Sequence, residues 1–297
     1  MDVLSDVIAS VRTGRPHSSR TTRRAPWGSW FHASSAAGFH VMLAGRGWLL
    51  PQDGDPIPLG AGDVVFAARG VAHGLADNPS TPMEPSNPVL LNEIAPSEAE
   101  EHASAVMLCG AYTMDGARSH PLLDELPGII HLPARLGHTA PLRSAIELLA
   151  AEMEYPRPGT DAVVPALLDT LLLFLLRAWH EEHPATGWAQ TLSDPEIGAA
   201  LRAIHDDLAR PWTVEDLGKV AGLSRAAFAK RFTTLVGRPP LAYLTWWRLT
   251  TAARLLTIED APLATIAKQV GYASEYAFAN AFKREYKVAP GRYRSSR

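Results

Sequence analysis

Apolar and polar positions change their spacing twice along this chain of 297 residues, and each change marks a different kind of structure. From Trp27 to about His131, short apolar runs such as FHVMLAG are cut by Gly, Pro and Asp, as at the Asp53-Gly54 turn signal. Such runs predict a small all-β sandwich or barrel. From Pro141 the apolar residues recur at helical spacing, so the pattern predicts an α+β fold with two domains.

The spacing also predicts where the domains begin and end. Residues 1–25 are rich in Arg, Ser and Thr without a period, and we expect a flexible arm there. Residues 26–183 form the first domain, a β-roll to about residue 131 followed by helices over 141–183. Residues 184–193, with Pro184 and Gly187, are interpreted as the linker, and residues 194–297 as an all-helical domain. The Pro-rich and acidic stretch 82–104 is predicted to be a loop.

One pattern of about 20 residues occurs twice near the C-terminus, as GLSRAAFAKRFTTLVGRPPLAYL at 222–244 and GYASEYAFANAFKREYKVAPGRYR at 271–294. A capping box at Thr213 and Asp216 starts the helix before the first copy. Gly222 and Gly271 supply tight turns. A helix, a short glycine turn and a second helix predict a helix-turn-helix in each copy. The corresponding residues of the two copies are Ser224 and Ser274, Phe228 and Phe278, Phe232 and Phe282, Pro240 and Pro290, and Tyr243 and Tyr293.

The residues between the copies, from about Leu241 to Thr257, are helical without interruption in pattern. A helix of that length would hold the two units so that their second helices enter successive major-groove segments from one side of a DNA duplex. A generic helical hairpin repeat is the alternative, but such repeats stack as three or more units. Two units favour DNA binding.

Charge is distributed unevenly along the chain. From residue 193 onward there are 16 Lys and Arg against 10 Asp and Glu, whereas the whole chain carries a net charge of −3. A basic C-terminal third joined to an acidic remainder indicates that only the end of the chain meets a polyanion. Chance partition of surface charge is the other interpretation.

The composition of the chain indicates the cellular compartment in which the protein acts. The single cysteine, Cys109, excludes an intrachain disulfide framework and suits a reducing cytoplasm. The N-terminus has early acids and no apolar run of the secretory type. The apolar run from Leu171 to Leu176 is too short for a bilayer span, so we expect no membrane association and interpret its helix as buried or dimer-forming.

The segment from about Asp194 to Arg294 resembles the AraC/XylS family of bacterial transcription regulators. Both turns, the connecting helix and the closing Val288, Pro290, Tyr293 and Arg294 carry the resemblance. It implies a sequence-specific DNA-binding regulator of transcription, which would meet RNA polymerase if it is an activator. The family's base-contacting positions fall here on Ala226, Ala229, Lys230, Glu275, Tyr276 and Asn280.

Two departures from the family pattern bear on specificity. Ala226 and Ala229 have no polar side-chain atoms, so direct readout by the first unit would rest on Lys230 and Arg225 and on methyl contacts. Asn280 stands where the family often has Arg, which predicts a preference for adenine over guanine. Including helix caps and phosphate contacts, the candidate DNA-binding residues are Ser224, Arg225, Ala226, Ala229, Lys230, Arg231, Ser274, Glu275, Tyr276, Asn280, Lys283, Arg284, Arg292 and Arg294.

The stretch from Gly62 to Asp77 resembles the second cupin motif, with Ala68 and Asp77 in place of its Pro and Asn. The first motif survives only as His40. The resemblance implies a cupin-like sensor domain of the kind attached to many AraC-like regulators. Cys109-Gly110 and the sequence HPLL from His120 also resemble that subgroup.

Two interpretations of this domain's chemistry stay open. Four side chains could converge on a divalent transition metal such as zinc: His40, His73, Cys109 and His120. Alternatively the histidines are satisfied within the fold and Cys109 is a small buried side chain. A small-molecule effector inside the roll is the more general expectation, and redox sensing by a lone thiol lacks an intrachain resolving partner.

The sequence therefore predicts a cytoplasmic transcription regulator that is not an enzyme. The helices over 141–183 either form a homodimer contact or cover one face of the roll. Two rivals remain: a metal-dependent cupin enzyme with a DNA-binding tail, and a DNA-architecture protein with no sensing role. Two expected ligands of the first cupin motif are missing, which counts against the enzyme.

Overall fold

The computed structural model describes residues 3–11, 16–86, 103–113, 120–134, 140–183 and 187–295. The chain divides into two compact units. One is Val11–His183, and the other joins Met1–Ser10 to Pro184–Arg297. The predicted fold class is confirmed, since the first unit is a curled β-sheet with two long helices and the second is helical.

Nine strands build the roll within the described residues. They are β1 (His17–Arg23), β2 (Gly28–Phe31), β3 (Ala36–Pro51), β4 (Ile57–Gly60), β5 (Val64–Ala67), β6 (His73–Ala76), β7 (Glu84–Pro85), β8 (Ala105–Thr113) and β9 (Ile129–Leu132). The hydrogen-bonded order is β1-β8-β3-β6-β2-β7, with β4 and β5 also on β3 and β9 on β5.

The long strand β3 belongs to both halves of the roll. Its first half pairs with β8 and β5, and its second half pairs with β4 and β6. The register shifts between Met42 and Ala44, and such a bulge increases the local bend and twist of a strand. The strand therefore curls the sheet around a core that contains Met42, Leu49, Val65, Leu75, Met107 and Cys109.

In the part of this unit that the structure describes, three helices accompany the strands: α2 (Pro121–Asp124), α3 (Ala140–Glu154) and α4 (Thr160–Glu182). Tyr112 on β8 is 1% exposed and donates its hydroxyl to the Leu168 carbonyl at 2.6 Å, which ties α4 to the roll. By length and composition alone, α4 is apolar enough to cross a membrane. The core helix of a soluble protein passes the same test, and 33% of the most apolar window of α4 is buried.

The flexible arm predicted for residues 1–25 is wrong for the part that the structure describes. Helix α1 (Val3–Val11) and strand β1 lie there. Val3, Leu4, Val7 and Ile8 are buried, and Asp6 places a carboxylate oxygen 3.1 Å from His205 Nδ1. These apolar residues recur at helical spacing over only two turns, and the partner of Asp6 is about 200 residues away in the sequence. Residues 1–2 and 12–15 lie outside the described residues.

The linker predicted for 184–193 is helical over most of its length, as α5 (Gly187–Ser193). Trp188 is 1% exposed, and the Thr191 hydroxyl donates to the Leu235 carbonyl at 2.7 Å. This segment is thus part of the second unit, although residues 184–186 are not described. Most of the loop predicted for 82–104 also lies outside the described residues, and β7 occupies its start.

The rest of the second unit is seven helices among the described residues. They are α6 (Pro195–Asp206), α7 (Val214–Val220), α8 (Arg225–Val236), α9 (Pro240–Ile258), α10 (Leu263–Gln269), α11 (Glu275–Tyr286) and α12 (Pro290–Ser295). Asp194 caps α6 by accepting the N–H groups of Glu196 and Ile197, as its position before Pro195 predicts.

Candidate nucleic-acid interface and sensor cavity

The first helix-turn-helix is α7 and α8. Thr213 and Asp216 form the predicted capping box at the start of α7. Gly222 has φ +69°, a left-handed conformation that glycine adopts without strain. Ser224 then caps α8 by accepting the Ala227 N–H. Phe228 is fully buried, so the opposite face of α8 is left for solvent.

The second helix-turn-helix is α10 and α11, and it repeats the first. Gly271 has φ +80°, and Ser274 accepts the Ala277 N–H at the start of α11. Phe278 and Phe282 are fully buried in a core that α9, α10 and α11 share with Tyr293 of α12. Both second helices therefore begin with a serine cap and present the face opposite a phenylalanine pair.

Arg248 of α9 contacts a segment next to each of the two helix-turn-helix motifs. Its Nε–H donates to the Leu208 carbonyl at 2.9 Å, and its Nη2 donates to the Arg210 carbonyl at 2.7 Å, both in the loop before α7. On the other side, a Cβ atom added to Gly271 would lie 2.6 Å from Nη2 of Arg248. Burial lowers the pKa of the guanidinium, which is nevertheless charged at any physiological pH. The loop before the first unit and the turn of the second thus meet at one side chain.

The exposed face of α8 has fewer polar side chains available to DNA than the sequence indicates. Arg225, Ala226 and Lys230 are exposed, and Ala229 is partly exposed. Arg231 is directed to the start of α6, where it donates to Asp194. Lys230 is therefore the main polar group on the face of α8 that the family pattern aligns with DNA bases.

Arg231 is bound within the protein. Its Nη2 and Nε donate to one carboxylate oxygen of Asp194 at 2.6 and 3.1 Å, and its Nη1 lies 3.1 Å from Glu196. The hydrogen bond and charge of Asp194 raise the pKa of the guanidinium. Backbone N–H groups of α6 and the Arg231 side chain together lower the pKa of Asp194, against the opposing effect of its burial. The structure thus gives this predicted DNA-contacting side chain a role in joining α8 to α6.

The exposed face of α11 is richer in polar groups. Tyr276 is 79% exposed, although it is a large aromatic side chain. Glu275, Asn280, Lys283 and Arg284 are also exposed. The two faces are thus chemically unequal, as their sequences predict.

The two arginines after α11 differ. Arg292 is exposed, whereas Arg294 donates from Nη2 to the Ala261 carbonyl at 2.6 Å and lies 3.9 Å from Asp260. Like Arg231, Arg294 donates hydrogen bonds to other groups of the protein. It holds the segment before α10 against α12.

The four candidate metal ligands do not form one donor set. Nδ1 of His40 is 3.1 Å from Cys109 Sγ, and Nε2 of His40 is 2.9 Å from His73 Nε2. The His40 ring therefore stands between the other two, and one ion cannot reach all three. His120 is fully buried at the start of α2, where its Nδ1 accepts the Leu122 N–H at 3.0 Å.

The described residues contain no group of three or more His, Cys, Asp or Glu side chains that could hold a metal ion. The donor set that the cupin resemblance suggested therefore does not fit a metal. The arrangement favours the other interpretation, in which the histidines are satisfied within the fold and Cys109 is a small buried side chain.

The protonation states of this chain of contacts follow from burial and geometry. Burial lowers the pKa of both His40 and His73, and it raises the pKa of the Cys109 thiol to about 12. The three groups are thus neutral near pH 7. Nδ1–H of His73 donates to the Val71 carbonyl at 2.8 Å, so its Nε2 accepts from His40 Nε2–H. His40 Nδ1 in turn accepts the thiol proton of Cys109.

A cavity of about 760 Å³ lies beside this pair of imidazoles, within the first unit. His40, His73 and Phe31 contribute to its wall together with small residues of β3, β5 and β8. The sequence predicts an effector inside the roll but not the small residues that line this space, because alanine and glycine in a strand give no signal of their own. Sequence reasoning also missed Arg248 and the pair of Asp6 and His205, whose partners are remote in the sequence.

A β-roll with a cavity beside its histidine pair, joined in one chain to two helix-turn-helix units with exposed recognition faces, defines a DNA-binding regulator with its own sensor domain. The cupin family model matches residues 2–181, and the helix-turn-helix domain model matches residues 217–296. The chain belongs to the AraC-like transcription regulators with an N-terminal cupin domain.

Curated relatives agree with this assignment over the whole chain. A putative AraC-like transcription regulator of Streptomyces lividans is 33% identical over 99% of this chain and 98% of its own length. The HTH-type transcriptional regulator AlkR of Acinetobacter baylyi is 30% identical over 99% of both proteins. Among solved structures, the DNA-binding domain of AdpA in complex with a target DNA is 31% identical over 35% of this chain and 92% of that chain, with a TM-score of 0.33.

Proposed function

We propose that this regulator binds DNA by placing α8 and α11 in two successive major-groove segments on one side of the duplex. The observation that carries this is the pair of equivalent, serine-capped helices on either side of one continuous helix. Helix α9 has 19 residues and is therefore about 28 Å long. Successive major-groove segments on one side of B-DNA are about 34 Å apart, which the two units span with their own widths.

The second helix-turn-helix, α10 and α11, carries more of the discrimination between bases. Asn280 can form two hydrogen bonds with adenine, and Glu275 can accept from the amino group of cytosine. The first helix-turn-helix presents Ala226, Ala229 and Lys230 at the corresponding positions. Because Arg231 is bound to Asp194 and Glu196, it adds nothing to readout by α8.

Affinity that does not depend on sequence comes from phosphate contacts. The second helix-turn-helix has two exposed cations, Lys283 and Arg284, and Arg292 is exposed just after it. In the first helix-turn-helix, Arg225 is exposed. These cations make binding depend steeply on salt, because each phosphate contact releases condensed counterions.

The cupin unit controls this binding in response to a small-molecule effector in its cavity. The protein acts in the cytoplasm and is not an enzyme. If it activates transcription, RNA polymerase is a further partner. A homodimer contact through α3 and α4 is supported by the exposed apolar side chains of Leu148 on α3 and Val163 on α4, and by exposed Tyr155 just after α3.

Asn280→Ala tests the assigned readout. A duplex selected from a random library by the wild-type full chain serves as the probe, and affinity is measured by fluorescence anisotropy. Loss of two hydrogen bonds to one base should weaken specific binding by about 1–3 kcal/mol and flatten the preference at one base pair. Gln269→Ala is the matched control, an exposed amide on α10, and should leave that preference unchanged. An Asn280→Ala protein with wild-type affinity and preference would refute the assigned readout.

A further inference from the structure

The interior of the roll is filled at one end and hollow at the other. Met42 and Met107 lie in the filled part, in the core cluster with Cys109. Further along the same strands, the inward positions are the small residues Gly38 and Ala111, which pair directly across β3 and β8. Ala67 of β5 pairs with Gly38 from the other side. Directly opposed residues point to the same face, so three adjacent strands leave space at one level.

That space is the cavity of about 760 Å³, which is within the size range of sites for small organic ligands. A Cβ atom added to Gly38 would meet nothing closer than 3.9 Å. The cavity is thus open beside this strand rather than filled by a neighbouring side chain.

The pair of imidazoles in its wall, His40 and His73, is electrically neutral and already hydrogen-bonded. His40 and His73 bond each other, Cys109 and the Val71 carbonyl. The ring of Phe31 stacks on His73, with 5.1 Å between centroids. The imidazole pair therefore offers a ligand an aromatic surface and no fixed charge.

The described residues that line the cavity include no Asp, Glu, Lys or Arg. Besides the imidazole pair, their polar side chains are His17, His32, Ser34 and Ser86. Among the described lining residues, a charged ligand would find no carboxylate, ammonium or guanidinium of opposite charge to offset the loss of its hydration, which is unfavourable. An apolar ligand would gain from leaving water.

We propose that this cavity binds a neutral, largely apolar small molecule, and that this molecule is the effector. The proposal rests on the regulatory function given above and adds the chemical class of the signal. It assigns specificity to the small residues on β3 and β8 and to the neutral imidazole pair.

The test compares matched neutral and charged probes on the full chain at pH 7.5. The probes are 2-naphthol against 2-naphthoate, and octan-1-ol against octanoate and octylammonium. Binding is measured by isothermal titration calorimetry and by the shift in melting temperature, since a ligand of the folded state raises stability with its concentration relative to Kd. At least one neutral probe should bind at least about tenfold more tightly than its charged partners, a difference that corresponds to about 1.4 kcal/mol.

Gly38→Val places the measured binding in the cavity, because its side chain would enter the space. It should weaken binding of the neutral probe at least about tenfold, which is about 1.4 kcal/mol. Gly60→Val is the matched control, since Gly60 is a strand glycine outside the cavity lining and nothing lies within 4 Å of a Cβ added there. Ala111→Leu is a second filling variant in case Gly38→Val fails to fold. Binding of charged probes in preference, no binding of any neutral probe, or wild-type binding by the filling variants would each overturn the proposal.

Failure of this proposal is distinguishable from failure of the proposed function. DNA binding by the same preparations is measured on the selected duplex, with and without the neutral probe. Specific DNA binding that no neutral probe alters would overturn only the assignment of the effector. A wild-type chain that fails to select any DNA sequence would overturn the function itself.

Discussion

Lys230 and Arg231 are adjacent cations on α8 with different partners. Lys230 is exposed on the recognition face, and its ammonium forms no ion pair with the described residues. Arg231 forms two hydrogen bonds with Asp194 and an ion pair with Glu196. The sequence shows two equivalent positive charges, whereas the structure leaves Lys230 exposed and binds Arg231 to other groups of the protein.

Replacing each with alanine separates these roles. Lys230→Ala should lower affinity for the selected duplex by about 1–3 kcal/mol, with an unchanged melting temperature, because it removes only a DNA contact. Arg231→Ala should lower the melting temperature, because Asp194 loses its side-chain partner. Anisotropy and calorimetry on both variants check this. The assignment fails if Arg231→Ala weakens DNA binding as much as Lys230→Ala while melting at the wild-type temperature.

At the scale of elements, the sequence predicts those whose ends are set by local chemistry. Helices α6, α7, α8 and α11 begin where Asp194, Thr213, Ser224 and Ser274 accept backbone N–H groups. Helix α1 was not predictable in this way, because what stabilises it is docking in the second unit, with Asp6 against His205. An effector inside the roll was expected from the family resemblance, but the residues that form the cavity were not, since only the strand register brings Gly38, Ala67 and Ala111 together.

Arg248 gives the two helix-turn-helix units a fixed relation. Its hydrogen bonds to the loop before α7 and its close approach to Gly271 should set the angle between α8 and α11. We expect the wild-type protein to lose about tenfold in affinity, about 1.4 kcal/mol, when one base pair is added between its two contacted segments. Arg248→Ala should lose clearly less, because its units are no longer held in one orientation.

Arg248→Lys is the control for charge, since lysine keeps the positive charge but lacks the planar, forked donor group. It should resemble Arg248→Ala in its tolerance of altered spacing. If both variants show the wild-type dependence on spacing and only a lower melting temperature, Arg248 serves stability alone.

For the whole molecule, the uneven distribution of charge found in the sequence agrees with the division into units. The basic part of the chain is the part that folds into the paired helix-turn-helix units, and the acidic part forms the cupin unit. The second unit also includes α1 from the N-terminus. Experiments on DNA binding therefore require the full chain, because a C-terminal fragment would lack α1 and leave His205 without Asp6.

The central claim is that one chain reads two major-groove segments in phase on one side of the duplex. The most direct measurement is the affinity of the full-length protein for its selected duplex before and after insertion of about 5 base pairs, half a helical turn, between the two segments. With 5 base pairs inserted, binding should fall to the level of a duplex that has only one segment. An insertion of about 10 base pairs restores the phase, but binding would recover only if the two helix-turn-helix units could move apart. Because α9 is continuous, we predict loss of binding with both insertions. Affinity that neither insertion changes would contradict the claim.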